Sequence, residues 1–237
     1  METFQRILFV AVLAGLLSGV FVTVAHQIAT VPVILKAETY EAAGENATAS
    51  VETAHEPGSS TWAPADGLGR MLFTLLADVL TGMGYALLLV AGFALRGGVM
   101  NWRKGLYWGL AGFATFTLAP ALGLPPDVPG TAAAPLLDRQ LWWLGTALAT
   151  GGGLALLFLS RRATGVVAGM ALILMPHLLG APQPVEYMSL APESLGHRFM
   201  TAVVVTSLLF WLTLGGVAGF LYGRLGSRAA ALSAAKG

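Results

Sequence analysis

The stretch Ile7–Leu35 reads ILFVAVLAGLLSGVFVTVAHQIATVPVIL and decides the fold class. It carries no formal charge and a single titratable side chain, His26. About 20 mostly apolar residues cross a bilayer core, so this run is long enough to span one with some tilt. A helix satisfies its own backbone hydrogen bonds in lipid, so a helix is the expected form. Arg6 and Lys36 bound the run, and His26 falls toward the Lys36 end. An ionisable group inside a span is costly, which marks His26 as a functional candidate.

The rest of the chain has the same character. Of its 237 residues 56% are hydrophobic and 11% charged, well below the roughly 25% charged residues of a soluble domain. The mean hydropathy of +0.72 agrees with a chain whose solvent is the lipid bilayer. A net charge of +1 makes no basic field and argues against nucleic acid as a partner. The absence of cysteine excludes disulfides, thiolate nucleophiles and cysteine-based zinc or iron–sulfur centres. A bound metal would have to use His, Met, carboxylates, backbone carbonyls or water. Thr23-Val24-Ala25 resembles a signal-cleavage site, but the apolar run exceeds a signal core of roughly 7–15 residues, so a retained first helix is expected.

Six apolar runs can be marked, at about 7–35, 71–95, 105–124, 141–160, 165–179 and 199–222. The expectation is an all-α, polytopic integral membrane protein with six transmembrane helices, forming one membrane domain over 1–237. Pro176 interrupts the fifth run, the shortest. Arg6, Arg96, Arg103, Lys104, Arg161, Arg162, Arg224, Arg228 and Lys236 then share one side, against Lys36, Arg70, Arg139 and Arg198 on the other. Basic residues accumulate on the cytoplasmic side, which places both termini there. Most acidic residues fall on the opposite connectors, and residues 36–70 read as an acidic, partly mobile outer loop. Such a face raises the local concentration of cations, although a solvated loop would look the same.

A weak internal repeat is also visible. Ala14-Gly15, Ala111-Gly112 and Ala168-Gly169 are followed by Pro32, Pro120 and Pro176 on the three outward-going runs. The return runs open on Arg70, Arg139 and Arg198, which suggests three parallel helical hairpins. Small residues at Gly15/Gly19, Gly105/Gly109 and Gly215/Gly219/Gly223 would permit close helix packing.

Few residues can carry chemistry. The histidines His26, His55, His177 and His197 all map to the outer half or outer connectors. His177 follows Met175-Pro176, and a proline there frees a backbone carbonyl and lets the imidazole face a cavity. Imidazole suits Co, Ni, Zn and Cu, and a neighbouring carboxylate can orient it. The competing role for each is a satisfied polar residue at headgroup level. Asp78 lies within the second run, where a carboxylate needs a cation, a proton or an arginine. A structural ion pair to Arg70 is the competing reading. No Walker A, HExxH or GxSxG sequence is present, and Gly151-Gly152-Gly153 has no strand before it, so an enzyme is not expected.

Several segments resemble the CbtA family of proposed cobalt transporter subunits. The resemblance lies in Ala25-His26-Gln27 with Ala37-Glu38-Thr39-Tyr40-Glu41, and in Ala119-Pro-Ala-Leu-Gly-Leu-Pro-Pro-Asp-Val-Pro-Gly130. It continues in Asp138-Arg-Gln-Leu-Trp-Trp143 and Pro176-His-Leu-Leu-Gly-Ala-Pro-Gln-Pro184. It implies a multi-pass subunit of the bacterial inner membrane linked to cobalamin-regulated cobalt uptake. It also implies a small one-span, histidine-rich partner, CbtB; a homo-oligomer stays open. On that reading Co²⁺ is the transported ion, with Ni²⁺ or Zn²⁺ as competitors, and no cofactor is held tightly. Glu38, Glu41 and Glu186 would gather the ion, His26 and His177 would replace part of its hydration shell, and Asp78 would receive it deeper. The alternative is a non-transporting membrane scaffold that holds a metal-delivering partner.

Overall fold

The computed structural model describes residues 3–49, 64 and 67–234. Helices α1 (Thr3–Ala29), α2 (Val31–Ala49), α3 (Leu68–Arg96) and α4 (Trp102–Phe113) come first. A π-helical turn, Ala114–Leu118, leads into the short α5 (Ala119–Gly123). Helices α6 (Leu136–Leu159), α7 (Ala163–Leu179) and α8 (Glu193–Ala234) complete the chain. The only pairing of strand type among the described residues is an isolated antiparallel bridge, Thr131 with Ser189. The chain is a polytopic helical membrane protein.

Five of the described helical segments are long and apolar enough to cross a membrane: Thr3–Ala29, Leu68–Arg96, Trp102–Gly123, Leu136–Leu159 and Glu193–Ser227. The expected run at 165–179 is α7, whose 17 residues reach about 26 Å at 1.5 Å each, short of a core of roughly 30 Å. Six spans are therefore not reproduced by length alone. Gly180, at φ 83°, ends α7 in a conformation that side chains rarely adopt.

Prolines redraw two further boundaries. The first run is interrupted at Thr30, because Pro32 has no N–H to donate to the Ile28 carbonyl. Thr30 still donates to the His26 carbonyl at 3.0 Å, and its own carbonyl accepts from Val33 and Ile34 at 3.1 and 3.0 Å. Residues 31–49 then form α2, so the start of the expected outer loop is helical; residues 50–63 and 65–66 of that loop lie outside the described residues. In the third run, Pro120 cannot supply the N–H that an α-helix would aim at the Phe116 carbonyl, and the π turn sits around that carbonyl.

Two compact units divide the chain. One comprises Met1–Ala25, Met71–Ala114 and Thr206–Gly237, and it packs through glycines. Gly15 on α1 meets the Met83 backbone on α3, and a Cβ on Gly82 would lie 2.7 Å from the Gly15 carbonyl oxygen. Gly105 and Gly109 on α4 meet the backbones of Gly215 and Trp211 on α8, while a Cβ on Gly219 would lie 2.6 Å from the Asn101 oxygen. With no hydrophobic driving force between helices in lipid, this close approach supplies the dispersion contacts that hold them. Aromatic edges fill the remaining space: Phe93 against Trp108 at 5.4 Å and against Tyr222 at 5.9 Å. Arg6 donates to the Tyr222 hydroxyl at 2.6 Å. Asn101 caps α4, its side chain accepting from the Lys104 N–H at 3.0 Å.

The other unit comprises His26–Arg70 and Thr115–Val205. Here α6 crosses α7 at Gly153 and Gly169, each with its carbonyl against the other's Cα. Ala37, Val128, Ala191 and Leu195 form a small core, with Val33, Tyr40 and Phe199 packed on it. The connectors after α5 and α7 meet at the bridge, where Ala132 donates to the Met188 carbonyl at 2.8 Å.

Candidate functional site

Asp78 belongs to the first unit. Its carboxylate Oδ2 accepts from the Thr23 hydroxyl on α1 at 2.8 Å. The two helices come close enough for this because Gly19, one turn before Thr23, lies against the Val79 backbone. Thr23 is buried, and its hydroxyl also lies 2.9 Å from the Gly19 carbonyl. Thr23 was not among the residues singled out by sequence. A threonine on a small-residue face, four positions after a glycine, is the only hint the chain offered.

The remaining expected site residues belong to the second unit, apart from Asp78. His26 closes the last turn of α1, and its carbonyl accepts from both the N–H and the hydroxyl of Thr30, at 3.0 and 3.1 Å. Glu38, on α2, is held by Arg70: Nη1 donates to Oε1 at 2.9 Å and to Oε2 at 3.2 Å. Both side chains are about one-third exposed, 34% and 35%, so the pair sits where water can compete. Arg70 thus has a carboxylate partner that the sequence reading did not assign to it. Glu41 follows one turn later on α2 and lies near Gly130, whose Cβ would be 3.5 Å from that of Glu41. Glu186 is exposed on the connector after α7.

His177 sits in the last turn of α7, beside the buried Pro176. Its ring stands edge-on to Trp142 of α6, with centroids 6.0 Å apart and planes at 71°. Trp142 in turn packs against Gly123 of α5, which has no Cβ to obstruct it. The imidazole is therefore positioned by an aromatic ring, the edge-on Trp142.

A cavity of about 480 Å³ opens in this unit between the two connectors and the start of α8. Its lining includes Asp127, Tyr187, Ser189, Glu193, His197 and Met200. Burial raises the Asp127 carboxyl above its ordinary value, since desolvation penalises the charged form. Glu193 and His197 stand one turn apart on α8, with Oε1 and Nε2 at 3.4 Å, and both are largely exposed. The sequence offers His197 as one of four outer histidines without assigning it to the metal path; the Glu-x-x-x-His spacing was the available signal for its pairing with Glu193. His55 lies outside the described residues.

Among the described residues, no three His, Asp or Glu side chains come together as a metal site would require. What the geometry offers is a set of separate polar stations: the Thr23–Asp78 pair in one unit, and in the other the Glu38–Arg70 pair, the His177–Trp142 contact and the cavity.

A sequence model of one protein family matches residues 4–223, nearly the whole chain; its description is "Probable cobalt transporter subunit (CbtA)". No curated protein and no solved structure matches the chain.

Proposed function

The chain belongs to the CbtA family, and from that premise we propose that it is the membrane subunit through which Co²⁺ is taken up across the bacterial inner membrane. The observation that carries this reading is Asp78: a carboxylate held at 2.8 Å by Thr23 inside helices of transmembrane length. An ionisable group kept at that depth is expensive, and a dication passing by is the cargo that would repay it. In this reading α7, with its flanking residues, counts as the sixth span, and the three proline-bearing outward helices belong to three hairpin repeats. Both termini face the cytoplasm, as the bias of Arg and Lys supports. Acidic groups including Glu41 and Glu186 gather the ion outside, and Glu38 joins them when Arg70 releases it. His26, His177 and Asp78 exchange for hydration waters in sequence, one or two at a time. Ni²⁺ and Zn²⁺ suit the same ligands. The role is not enzymatic, and the subunit works with a small histidine-rich partner.

One observation favours a second reading, a scaffold that does not itself transport. No three-ligand cluster occurs among the described residues, as expected if the metal is held mainly by a partner chain. The test is ⁵⁷Co²⁺ uptake into proteoliposomes holding the wild type, His26→Ala, Asp78→Asn or His177→Ala. Uptake by the wild type that drops at least about ten-fold in the variants, the loss of roughly 1.4 kcal/mol of interaction, supports the transport reading. A wild type that takes up no Co²⁺ with or without its partner leaves the scaffold.

A further inference from the structure

The first unit ends in a rim of cations. Arg96 closes α3, Arg103 and Lys104 open α4, and Arg224 lies near the end of the span on α8, each within three residues of the limit of a segment of transmembrane length. The helices converge there: Tyr222 of α8 meets Arg6 of α1 and Phe93 of α3, and Gly223 lies against the Met100 backbone just before α4. Arg96, Arg103, Lys104 and Arg224 are all exposed. Among the described residues of this unit the one carboxylate is Asp78, about 27 Å along α3 from Arg96. The rim therefore carries no countercharge.

The side chains are also posed. The Arg103 guanidinium lies over the exposed Trp102 ring at 5.3 Å, and that of Arg224 over the exposed Phe220 ring at 5.8 Å. Stacking uses the flat face of the guanidinium and leaves its in-plane N–H fork for an anion, a geometry that phosphate takes two bonds at a time. Lys104 spends one of its three donors on the Val99 carbonyl, at 2.6 Å. Arg6 is different, because it is half-buried over the Tyr222 ring at 4.0 Å and donates to the hydroxyl there.

The direction of these cations separates two kinds of anion. Gly105 and Gly219 face each other where α4 crosses α8. Arg103 stands about 160° around α4 from Gly105, and Arg224 about 140° around α8 from Gly219, at 100° per residue. Both arginines thus face away from the crossing and from each other. A small soluble anion is held by cations that converge; lipid headgroups surround the unit and meet each cation separately.

We propose that this rim binds the headgroups of anionic phospholipids, with Arg103 on Trp102 and Arg224 on Phe220 each taking a phosphate, and Arg96 and Lys104 adding to the field. Basic groups at the headgroup layer attract anionic lipid. Orientation of the chain does not by itself account for the rim. The bias of Lys and Arg that sets topology is nearly insensitive to Asp and Glu, so it would tolerate paired carboxylates here. The proposal concerns lipid and does not depend on which ion the protein carries.

The test uses the full chain, delipidated in neutral detergent and offered equal amounts of phosphatidylglycerol and phosphatidylcholine with the same acyl chains. Native mass spectrometry counts the lipid that stays bound. The wild type should retain phosphatidylglycerol in preference, and Arg103→Gln and Arg224→Gln should each lower that preference about five-fold. Arg198→Gln removes an exposed cation of the other unit and should leave it unchanged. Equal retention of the two lipids by the wild type overturns the proposal. So does a preference that survives Arg103→Gln/Arg224→Gln, or one that falls as far in Arg198→Gln. Arg103→Lys/Arg224→Lys keeps the charge and should bind more phosphatidylglycerol than the glutamine pair; no difference between the pairs would trace the loss to damaged structure and overturn the assignment. Displacement of the lipid by soluble glycerol 3-phosphate at matching concentration would reveal a site for free phosphate, and that too overturns it.

Discussion

Thr23 on α1 and Asp78 on α3 meet at 2.8 Å, and the same threonine oxygen lies 2.9 Å from the Gly19 carbonyl. One hydroxyl proton is thus shared between a backbone acceptor and a carboxylate. The arrangement depends on Gly19, since any larger residue would push the Val79 backbone away and separate the pair.

Thr23→Val should remove the donor while keeping the side-chain shape. A hydrogen bond to a charged group contributes about 1.5–3 kcal/mol, so thermal unfolding in detergent should show a clear loss, and Thr23→Ser should restore most of it. An unchanged Tm in Thr23→Val would mean that the contact contributes nothing to holding α1 on α3.

The helix crossings make a sharper contrast. Gly219→Ala places a methyl group within 2.6 Å of the Asn101 oxygen and should cost about 1–3 kcal/mol by overpacking. Gly84→Ala meets no atom within 4 Å and should be neutral or should stabilise α3 by about 0.5–1 kcal/mol. Denaturation of both variants under one detergent condition checks the sign of each.

For the Glu38–Arg70 pair, partial exposure limits the coupling. A double-mutant cycle with Glu38→Gln and Arg70→Gln should return no more than about 1 kcal/mol, and less at high salt. A larger, salt-insensitive coupling would show that the pair is sealed from water.

Asp127 predicts a pH dependence with a definite sign. Its carboxyl is raised by burial, so the folded state binds the proton more tightly than the unfolded chain. The resulting contribution to stability is fully present below the unfolded value and is lost as pH rises through the raised folded value. Asp127→Asn should flatten the acid limb of a plot of Tm against pH, and an identical profile in that variant would place the titration elsewhere.

What could be read from the linear chain was whatever depends on composition along a single segment. The uncharged run after Arg6, the low charge content and the missing cysteines establish an all-helical protein of the membrane, because lipid leaves the backbone almost no other form. The order of motifs from Ala25-His26-Gln27 to Pro176-His177 pointed to the family that residues 4–223 match. Prolines 32, 120 and 176 foretold irregular helix ends, yet they could not say that one would split a helix, one would sit beside a π turn and one would be carried inside α7. Pairing was beyond reach for the same reason. That Thr23 serves Asp78, that Arg70 holds Glu38, and that Trp142 stands between Gly123 and His177 depends on contacts between segments far apart in the chain. The outward set of Arg103 and Arg224 belongs to this second kind of fact. Their letters are those of any basic helix end, and only the crossing of α4 and α8 at Gly105 and Gly219 decides which way they face.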